Sequence, residues 1–253
     1  MPQSAVNERG PGAGERPALV LLHHFGGSAR TWQPFIECIG GRRRCIALDL
    51  PGFGRQAGHP GPYTVAAMAD HVAASILRLG LDSYALVGHS MGGKVALALA
   101  ARRPAGLQSL VLLAPSPCSA EPMDHQQRET LLMAWGARPA LEVIVEDAAV
   151  RTLSADVRAL LIEDMLGVAR QAWRSWLLAG SREDITALMA RIDVSVLVMS
   201  GDGDTAIPTA VVEAKLLPRL ANAALTIVAG AGHLLPIEAA AETANAIVRS
   251  SQA

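Results

Sequence analysis

Short apolar runs alternate with longer helix-like segments along most of the chain. Six runs are rich in Ala, Val, Leu and Ile, at residues 18–24, 44–50, 84–89, 107–114, 195–201 and 224–230. Because their apolar residues are continuous and do not alternate with polar ones, the runs are typical of strands buried on both faces. Helical spacing or propensity marks residues 64–78, 91–102 and 209–220. This alternation predicts an α/β fold: a mostly parallel sheet with helices on both faces.

One long interval departs from this alternation. Between residues 114 and 192 the sequence contains only helical patterns, such as LLMAWGARPALEVIVEDAA and ADVRALLIEDMLGVARQAWRSWLLA. We therefore expect a helical insertion at residues 115–190, between core segments at 1–114 and 191–253. Residues 1–17 are rich in Gly and Pro and leave room for one short strand.

Composition narrows the classes of partner. A chain of 253 residues that is 51% hydrophobic can bury one sizeable core. Its 22 Lys and Arg nearly cancel its 23 Asp and Glu, which argues against a nucleic-acid partner. No apolar run approaches the roughly 18 to 20 residues of a membrane span, and the N-terminal segment lacks the apolar core of a secretory signal. With three scattered cysteines, Cys38, Cys45 and Cys118, the sequence predicts a cytoplasmic protein with reduced thiols.

A serine lies between glycines where an apolar run meets a helix-like segment. The stretch YALVGHSMGGKVALAL places Ser90 after the run at 84–89 and before the segment at 91–102. A Gly-x-Ser-x-Gly motif at a strand–turn–helix junction is typical of a nucleophile elbow, whose helix N-terminus also suits a developing oxyanion. The alternative is an ordinary turn or a phosphate loop. A phosphate loop lacks support because Lys94 is followed by Val95 and not by Ser or Thr.

A serine nucleophile needs a base, and the base needs an acid that orients it. His233 follows the last apolar run, in AGAGH, so we expect it at the same sheet edge as Ser90. Asp202 and Asp204 follow the run at 195–201, and both can reach that edge. The other histidines are expected to shape loops, to point away from the reacting side or to face solvent: His23, His24, His59, His71, His89 and His125.

Five sequence blocks, taken in order, resemble the α/β-hydrolase superfamily. LLHHFGGSARTW resembles its oxyanion-loop block, DLPGFG the turn after the next strand, GHSMGG the nucleophile elbow, SGDGDTAIP the acid block and GAGHLLPIEAA the histidine block. The chain order serine, acid, histidine is also that of the superfamily. The resemblance covers nearly the whole chain and implies an α/β-hydrolase fold in which the insertion forms a helical cap.

The resemblance also implies roles for individual residues. Ser90 corresponds to the nucleophile, His233 to the base and Asp204, the second of the two candidate acids, to the orienting carboxylate. The backbone N–H groups of Phe25 and Met91 correspond to the oxyanion-hole donors. Neither a metal nor an organic cofactor is implied.

Two features depart from the superfamily pattern. The family commonly has His-Gly where this chain has His23-His24, so the oxyanion loop carries a second imidazole that is either a spacer or a substrate contact. The short region before Ala18 implies that the first strand of the usual sheet is missing and that a stub around Ser4–Glu8 represents the second.

These residues predict a serine hydrolase that cleaves an ester-type bond of a small to medium, largely uncharged substrate through an acyl-enzyme. The residues expected to bind this small molecule are His24, Phe25, Met91, Trp135, Met165, Trp173 and Trp176. Tryptophan and methionine at helical spacing also commonly pack a helical insertion. Alternatives are a lactonase or a hydrolase of C–C bonds in diketones with the same triad, and a ligand sensor of this fold that signals to a protein partner.

Overall fold

The computed structural model describes residues 6–9 and 16–250 and contains one seven-stranded sheet. In chain order, the strands are β1 (Val6–Arg9), β2 (Ala18–Leu22), β3 (Cys45–Leu48), β4 (Tyr84–His89), β5 (Leu107–Leu113), β6 (Ser195–Gly201) and β7 (Ala223–Val228). The α-helices are α1 (Gln33–Ile39), α2 (Val65–Arg78), α3 (Met91–Ala100), α4 (His125–Ala134), α5 (Arg138–Ala148), α6 (Ala155–Leu166), α7 (Arg170–Leu178), α8 (Thr209–Lys215), α9 (Leu235–Glu238) and α10 (Ala240–Ser250). None of the helices in these two ranges is long and apolar enough to cross a bilayer.

The order of the strands across the sheet is β1-β3-β2-β4-β5-β6-β7. Only β1 with β3 is antiparallel, and every other neighbouring pair is parallel. Leu22 of β2 pairs with Gly88 of β4, and Gly201 of β6 pairs with Val228 of β7. The loops that follow these four strands therefore leave the sheet at the same edge, which is where ligands bind in open α/β sheets.

The continuous apolar runs supply two cores, one on each face of the sheet. In β2, Val20 and Leu22 pack into a core with helices α2 and α3, whereas Leu19 and Leu21 pack into another with α1 and α10. Successive side chains of a strand point to opposite faces, so a strand covered on both sides needs apolar residues throughout. The predicted α/β class, with helices on both faces of a mostly parallel sheet, is confirmed.

Each of the six predicted runs overlaps a strand, and β7 begins one residue before its run. The runs at 84–89 and 195–201 coincide with β4 and β6, whereas the run at 18–24 ends as a strand at Leu22 because the two histidines that follow belong to a loop. The expected N-terminal stub is present as β1 at the sheet edge. Ser4, where the sequence analysis begins that stub, lies outside the described residues.

One predicted helix was too long. The segment at 209–220 is helical only from Thr209 to Lys215, and a separate 3-10 helix follows at Leu217–Arg219. Pro218 has no backbone N–H with which to continue the α-helical hydrogen bonds, so the α-helix ends before it.

The helical insertion, residues 115–190, lies between β5 and β6 and contains α4 to α7. Its two ends, here called the first leg (residues 115–121) and the second leg (residues 180–190), are hydrogen-bonded to each other. Ile185 donates its N–H to the carbonyl of Cys118 at 2.7 Å, and Glu121 donates to the carbonyl of Ser181 at 2.9 Å. The two segments that connect the insertion to the core therefore lie side by side.

Candidate active site

Ser90 occupies a strained turn between β4 and α3. Its φ of 52° and ψ of −116° lie outside the regions that non-glycine residues ordinarily adopt. The flanking glycines permit the turn: a Cβ on Gly88 would lie 2.5 Å from the carbonyl oxygen of Gly92, and a Cβ on Gly92 would lie 2.4 Å from that of Leu22. The motif of the sequence analysis therefore forms the sharp strand-to-helix turn that a nucleophile elbow requires.

His233 brings Ser90 and Asp204 into one hydrogen-bonded line. Its Nε2 lies 2.8 Å from Ser90 Oγ, and its Nδ1 lies 2.8 Å from Asp204 Oδ2. All three side chains are at least nine-tenths buried. Asp204 Oδ1 also accepts hydrogen bonds from the N–H groups of Ala206 and Ile207, both at 2.9 Å, so the carboxylate is held from its other side.

Asp202, the other candidate acid, has a different contact. Its Oδ1 accepts a hydrogen bond from the N–H of Gly230 at 2.7 Å, in an exposed position. It therefore links the loop after β6 to the turn after β7, while Asp204 reaches the imidazole of His233.

Two contacts hold the loop that carries His233. The ring of His89, the residue before Ser90, lies beneath it, with Nε2 2.8 Å from the carbonyl oxygen of His233. The N–H of His233 donates to the carbonyl of Ala148 in the insertion at 2.8 Å. The core and the insertion both position this loop.

The charges around His233 favour its protonated form. Burial, the largest single effect, lowers the pKa of the imidazole, but the charge of Asp204 and its hydrogen bond act in the opposite direction. Glu121 and Glu238 add smaller upward contributions. The net pKa of His233 is raised above the usual value for histidine, as expected for an imidazole paired with a carboxylate.

The two N–H groups expected at the oxyanion hole have no acceptor in the described part of the chain. Within residues 6–9 and 16–250, the backbone N–H of Phe25 and that of Met91 donate no hydrogen bond. Met91 is the first residue of α3, so its N–H has no partner within the helix.

The loop at residues 24–30, here called the oxyanion loop after its predicted role, begins with the second of the two adjacent histidines. This residue, His24, is buried against His89. The two ring centroids are 4.9 Å apart. Burial, followed by the proximity of His23 and His233, lowers the pKa of His24 to about 3. His24 is therefore neutral at ordinary pH, and its Nδ1 has no hydrogen-bond partner in the described part of the chain.

The remaining histidines are not gathered into a metal centre. His23 fastens the end of β2 to the turn that follows β3, because its Nε2 accepts from the N–H of Leu50 at 3.0 Å. Across the residues that the structure describes, no group of three or more His, Cys, Asp or Glu is placed to hold a metal ion.

Four residues of the insertion were expected to bind substrate, and three of them pack against the oxyanion loop: Met165, Trp173 and Trp176. The ring centroid of Phe25 is 4.4 Å from that of Trp173 and 6.5 Å from that of Trp176. Met165 covers Gly26, where a Cβ would lie 3.0 Å from Met165 Cγ.

Trp135 lies apart from this group. It is 37% exposed, its Nε1 donates to the carbonyl of Val168 at 2.9 Å, and the guanidinium of Arg170 stacks over its ring. These contacts are within the insertion, so the structure does not bring Trp135 to the oxyanion loop.

Two charged residues at the site were missed by the sequence analysis. Lys94 is completely buried in α3, a helix in which every residue is buried, and a lysine in so apolar a helix is a signal that it has fixed partners. Asp164 in α6 is also buried and contacts the oxyanion loop. Nothing in the sequence around Asp164 distinguishes it from a solvent-facing carboxylate.

Comparison with known proteins agrees with the fold and the order of the blocks. The profile of the alpha/beta hydrolase fold family matches residues 17–149. A protein from Caulobacter sp. (strain K31), named as a carbamate hydrolase, RutD, is 30% identical over 233 residues, which cover 87% of this chain and 85% of that protein. The esterase EaEST from Exiguobacterium antarcticum superposes with a TM-score of 0.87 at 18% identity, over 98% of this chain and 95% of that one.

A further relative is longer than this chain. The dihydrolipoyllysine-residue acetyltransferase component of the acetoin cleaving system from Cupriavidus necator is 30% identical over 234 residues, 90% of this chain but 61% of that protein. The chain thus spans less than two thirds of that relative. The mostly parallel sheet with helices on both faces agrees with these matches, which show that the chain belongs to the α/β-hydrolase family.

Proposed function

We propose that the protein is a serine hydrolase that cleaves an ester-type bond of a small to medium, largely uncharged substrate. The observation that carries this proposal is the line of side chains in which His233 lies 2.8 Å from both Ser90 Oγ and Asp204 Oδ2. A hydroxyl next to an imidazole that is oriented by a carboxylate is the arrangement of a serine nucleophile with its base.

In the first half of the reaction, Ser90 Oγ attacks the carbonyl carbon and its proton passes to His233 Nε2. Asp204 holds the imidazole and stabilises the imidazolium. The C–O bond to the alcohol then breaks, and the alcohol takes the proton from His233. In the second half, water gives a proton to His233 and attacks the acyl-enzyme, and Ser90 recovers its proton as the acid leaves.

The N–H groups of Phe25 and Met91 are proposed to donate to the oxyanion of the tetrahedral intermediate. Neither N–H has an acceptor among the described residues, which supports this role. Met91 is also at the N-terminus of α3, whose dipole favours negative charge at that point.

The insertion at 115–190 is proposed to act as a cap on a core formed by 1–114 and 191–253. Support comes from the aromatic contacts of Trp173 and Trp176 with Phe25, next to the proposed oxyanion donor. The insertion thus places apolar side chains beside Phe25, which favours an uncharged substrate.

The central test combines a fluorophosphonate probe with turnover of p-nitrophenyl acetate. We expect one label, on the peptide that contains Ser90, and rapid multiple turnover that is lost in Ser90→Ala. Ser200→Ala is the matched control, because Ser200 is also buried and its Oγ has no hydrogen-bond partner among the described residues. Labelling at another serine contradicts the assignment. A single turnover with ligand-dependent capture of a protein partner favours the sensor alternative.

A carbamate substrate is the second candidate, and it is favoured by the RutD relative that aligns over most of both chains. A carbamate presents the same kind of carbonyl to Ser90. A panel of simple esters, thioesters, lactones, diketones and carbamates, compared by kcat/KM, distinguishes these reactions, since each class requires different contacts from the insertion.

A further inference from the structure

The oxyanion loop, residues 24–30, is held by two buried carboxylates, one from the core and one from the insertion. On the core side, Asp49 Oδ1 accepts a hydrogen bond from the N–H of Ala29 at 2.7 Å. On the insertion side, Asp164 Oδ2 accepts from Ser28 Oγ at 2.6 Å, and Asp164 Oδ1 accepts from Arg30 Nε at 3.0 Å and from a second guanidinium nitrogen of Arg30. Both oxygens of Asp164 are thus occupied by the loop.

The contact is tight and belongs to one helical turn of the insertion. The side chain of Asp164 is only 3% exposed, so its charge depends on these donors for solvation. The next residue, Met165, covers Gly26 of the same loop. Helix α6 therefore fixes the loop at two points, one polar and one apolar.

We propose that Asp164 is a positioning residue for the oxyanion hole. The inference rests on the proposed function, since it takes the N–H of Phe25 as an oxyanion donor. Phe25 lies three residues before Ser28 and one before Gly26, so both contacts of α6 act on the segment that aims this N–H. Donors of this kind stabilise a transition state only when they are placed to within a fraction of an ångström. The insertion thereby takes part in transition-state stabilisation as well as in substrate selection.

A purely structural role makes a different prediction. If Asp164 only attached the insertion to the core, its loss would weaken folding or substrate binding, and the affinity for a tetrahedral adduct would change no more than the affinity for substrate. If Asp164 positions the loop, its loss should lower kcat and weaken the affinity for adducts that place an oxygen in the oxyanion hole, while KM changes little.

The test compares Asp164→Asn with Glu163→Gln. Glu163 is the preceding residue of α6 and is also paired with an arginine, Arg138, but at an exposed position. Each variant is measured for kcat and KM on p-nitrophenyl acetate and for inhibition by phenylboronic acid, which forms a tetrahedral adduct on a nucleophilic serine. We expect Asp164→Asn to lower kcat and to weaken boronate inhibition by a similar factor, about 10- to 100-fold, with KM within about twofold. Glu163→Gln should leave all three within about twofold.

Arg30→Gln provides a second variant in case Asp164→Asn folds poorly. The Arg30 side chain is 57% exposed, so the change removes one partner of Asp164 without opening the core. It should shift kcat and boronate inhibition in the same direction and by a smaller factor. Unchanged boronate inhibition in a folded Asp164→Asn or Arg30→Gln variant overturns the inference. A wild-type protein without Ser90-dependent turnover or labelling overturns the proposed function, which separates the two failures.

Discussion

The imidazole of His233 is hydrogen-bonded at both nitrogens, and these two contacts determine which nitrogen carries the proton. An ionised carboxylate can only accept, so the proton of the neutral ring lies on Nδ1, which faces Asp204. Nε2 is then left as the acceptor that faces Ser90. A base is active only when unprotonated, and the pKa of His233 is raised. Activity should therefore fall, as the pH is lowered, at a pH above the usual pKa of histidine.

Asp204→Asn tests this pairing. The amide is uncharged, so the pKa of His233 should fall and the acidic limb of kcat/KM should move to lower pH. At the plateau, kcat should drop by about 10⁴-fold, because the amide also favours the wrong tautomer of the imidazole. The measurement is a pH profile of kcat/KM for both proteins.

Asp202→Asn is the control in the neighbouring turn. Asp202 contacts the N–H of Gly230 and not the imidazole, so its amide should keep kcat within about threefold and leave the acidic limb in place. A crippled Asp202→Asn beside an active Asp204→Asn would reassign the acid.

At the scale of elements, the first turn of α3 packs directly on the end of β2. Gly92 lies so close to β2 that a Cβ there would be 2.4 Å from the carbonyl oxygen of Leu22 and 2.6 Å from that of His23. These atoms are backbone and cannot rotate away. The packing thus joins the element that begins beside Ser90 to the strand that leads into the oxyanion loop.

Gly92→Ala should therefore impair both stability and activity. We expect a loss of roughly 1–3 kcal/mol in the free energy of unfolding, as for an overpacked core, and at least a tenfold loss of kcat. Gly58→Ala is the control, since a Cβ at Gly58 meets no atom within 4 Å. Denaturant unfolding and ester turnover check the pair, and an unaffected Gly92→Ala would contradict the close packing.

At the scale of the whole molecule, Lys94 connects helix α3 to both legs of the insertion. Its Nζ donates to the carbonyls of Ser119 in the first leg at 2.9 Å and of Glu183 in the second at 2.8 Å, with a longer contact to Gly180 at 3.4 Å. Burial lowers the pKa of Lys94, and the nearby carboxylates of Glu121 and Glu183 oppose that change. One buried ammonium thus ties the insertion to the core.

Lys94→Met should loosen this attachment. Methionine has a similar volume but no donor, so buried carbonyls lose their partner, at a cost of about 2 kcal/mol or more. We expect a melting temperature lower by roughly 5 °C and faster proteolysis within residues 115–190. In Lys215→Met, which removes a more exposed contact with the carbonyl of Ala120, the melting temperature should change by about 2 °C at most. Equal effects of the two variants would argue against a special role for Lys94.

Much of this architecture was readable from the chain because it depends on local pattern. A strand covered on both faces must be apolar throughout, so β2, β4 and β6 are visible as continuous runs. The elbow at Ser90 needs glycines at fixed offsets, and these are equally visible. The helix at 209–220 was predicted too long, because its spacing hid the effect of Pro218.

The sequence by itself determined the fold class, the mostly parallel sheet, and the serine, histidine and pair of acids from which the site is drawn. The local pattern left Asp202 and Asp204 open, and only the family resemblance favoured Asp204, which is the acid that lies at His233 in the tertiary structure. Only the tertiary structure decided which aromatic residues meet Phe25, and that Lys94 and Asp164 join the insertion to the core. The physical reason is the distance along the chain over which each kind of interaction acts. Periodicity and turn chemistry act between residues a few positions apart, whereas Ser28 meets Asp164 across 136 positions, and such a contact exists only once the sheet and the insertion have packed.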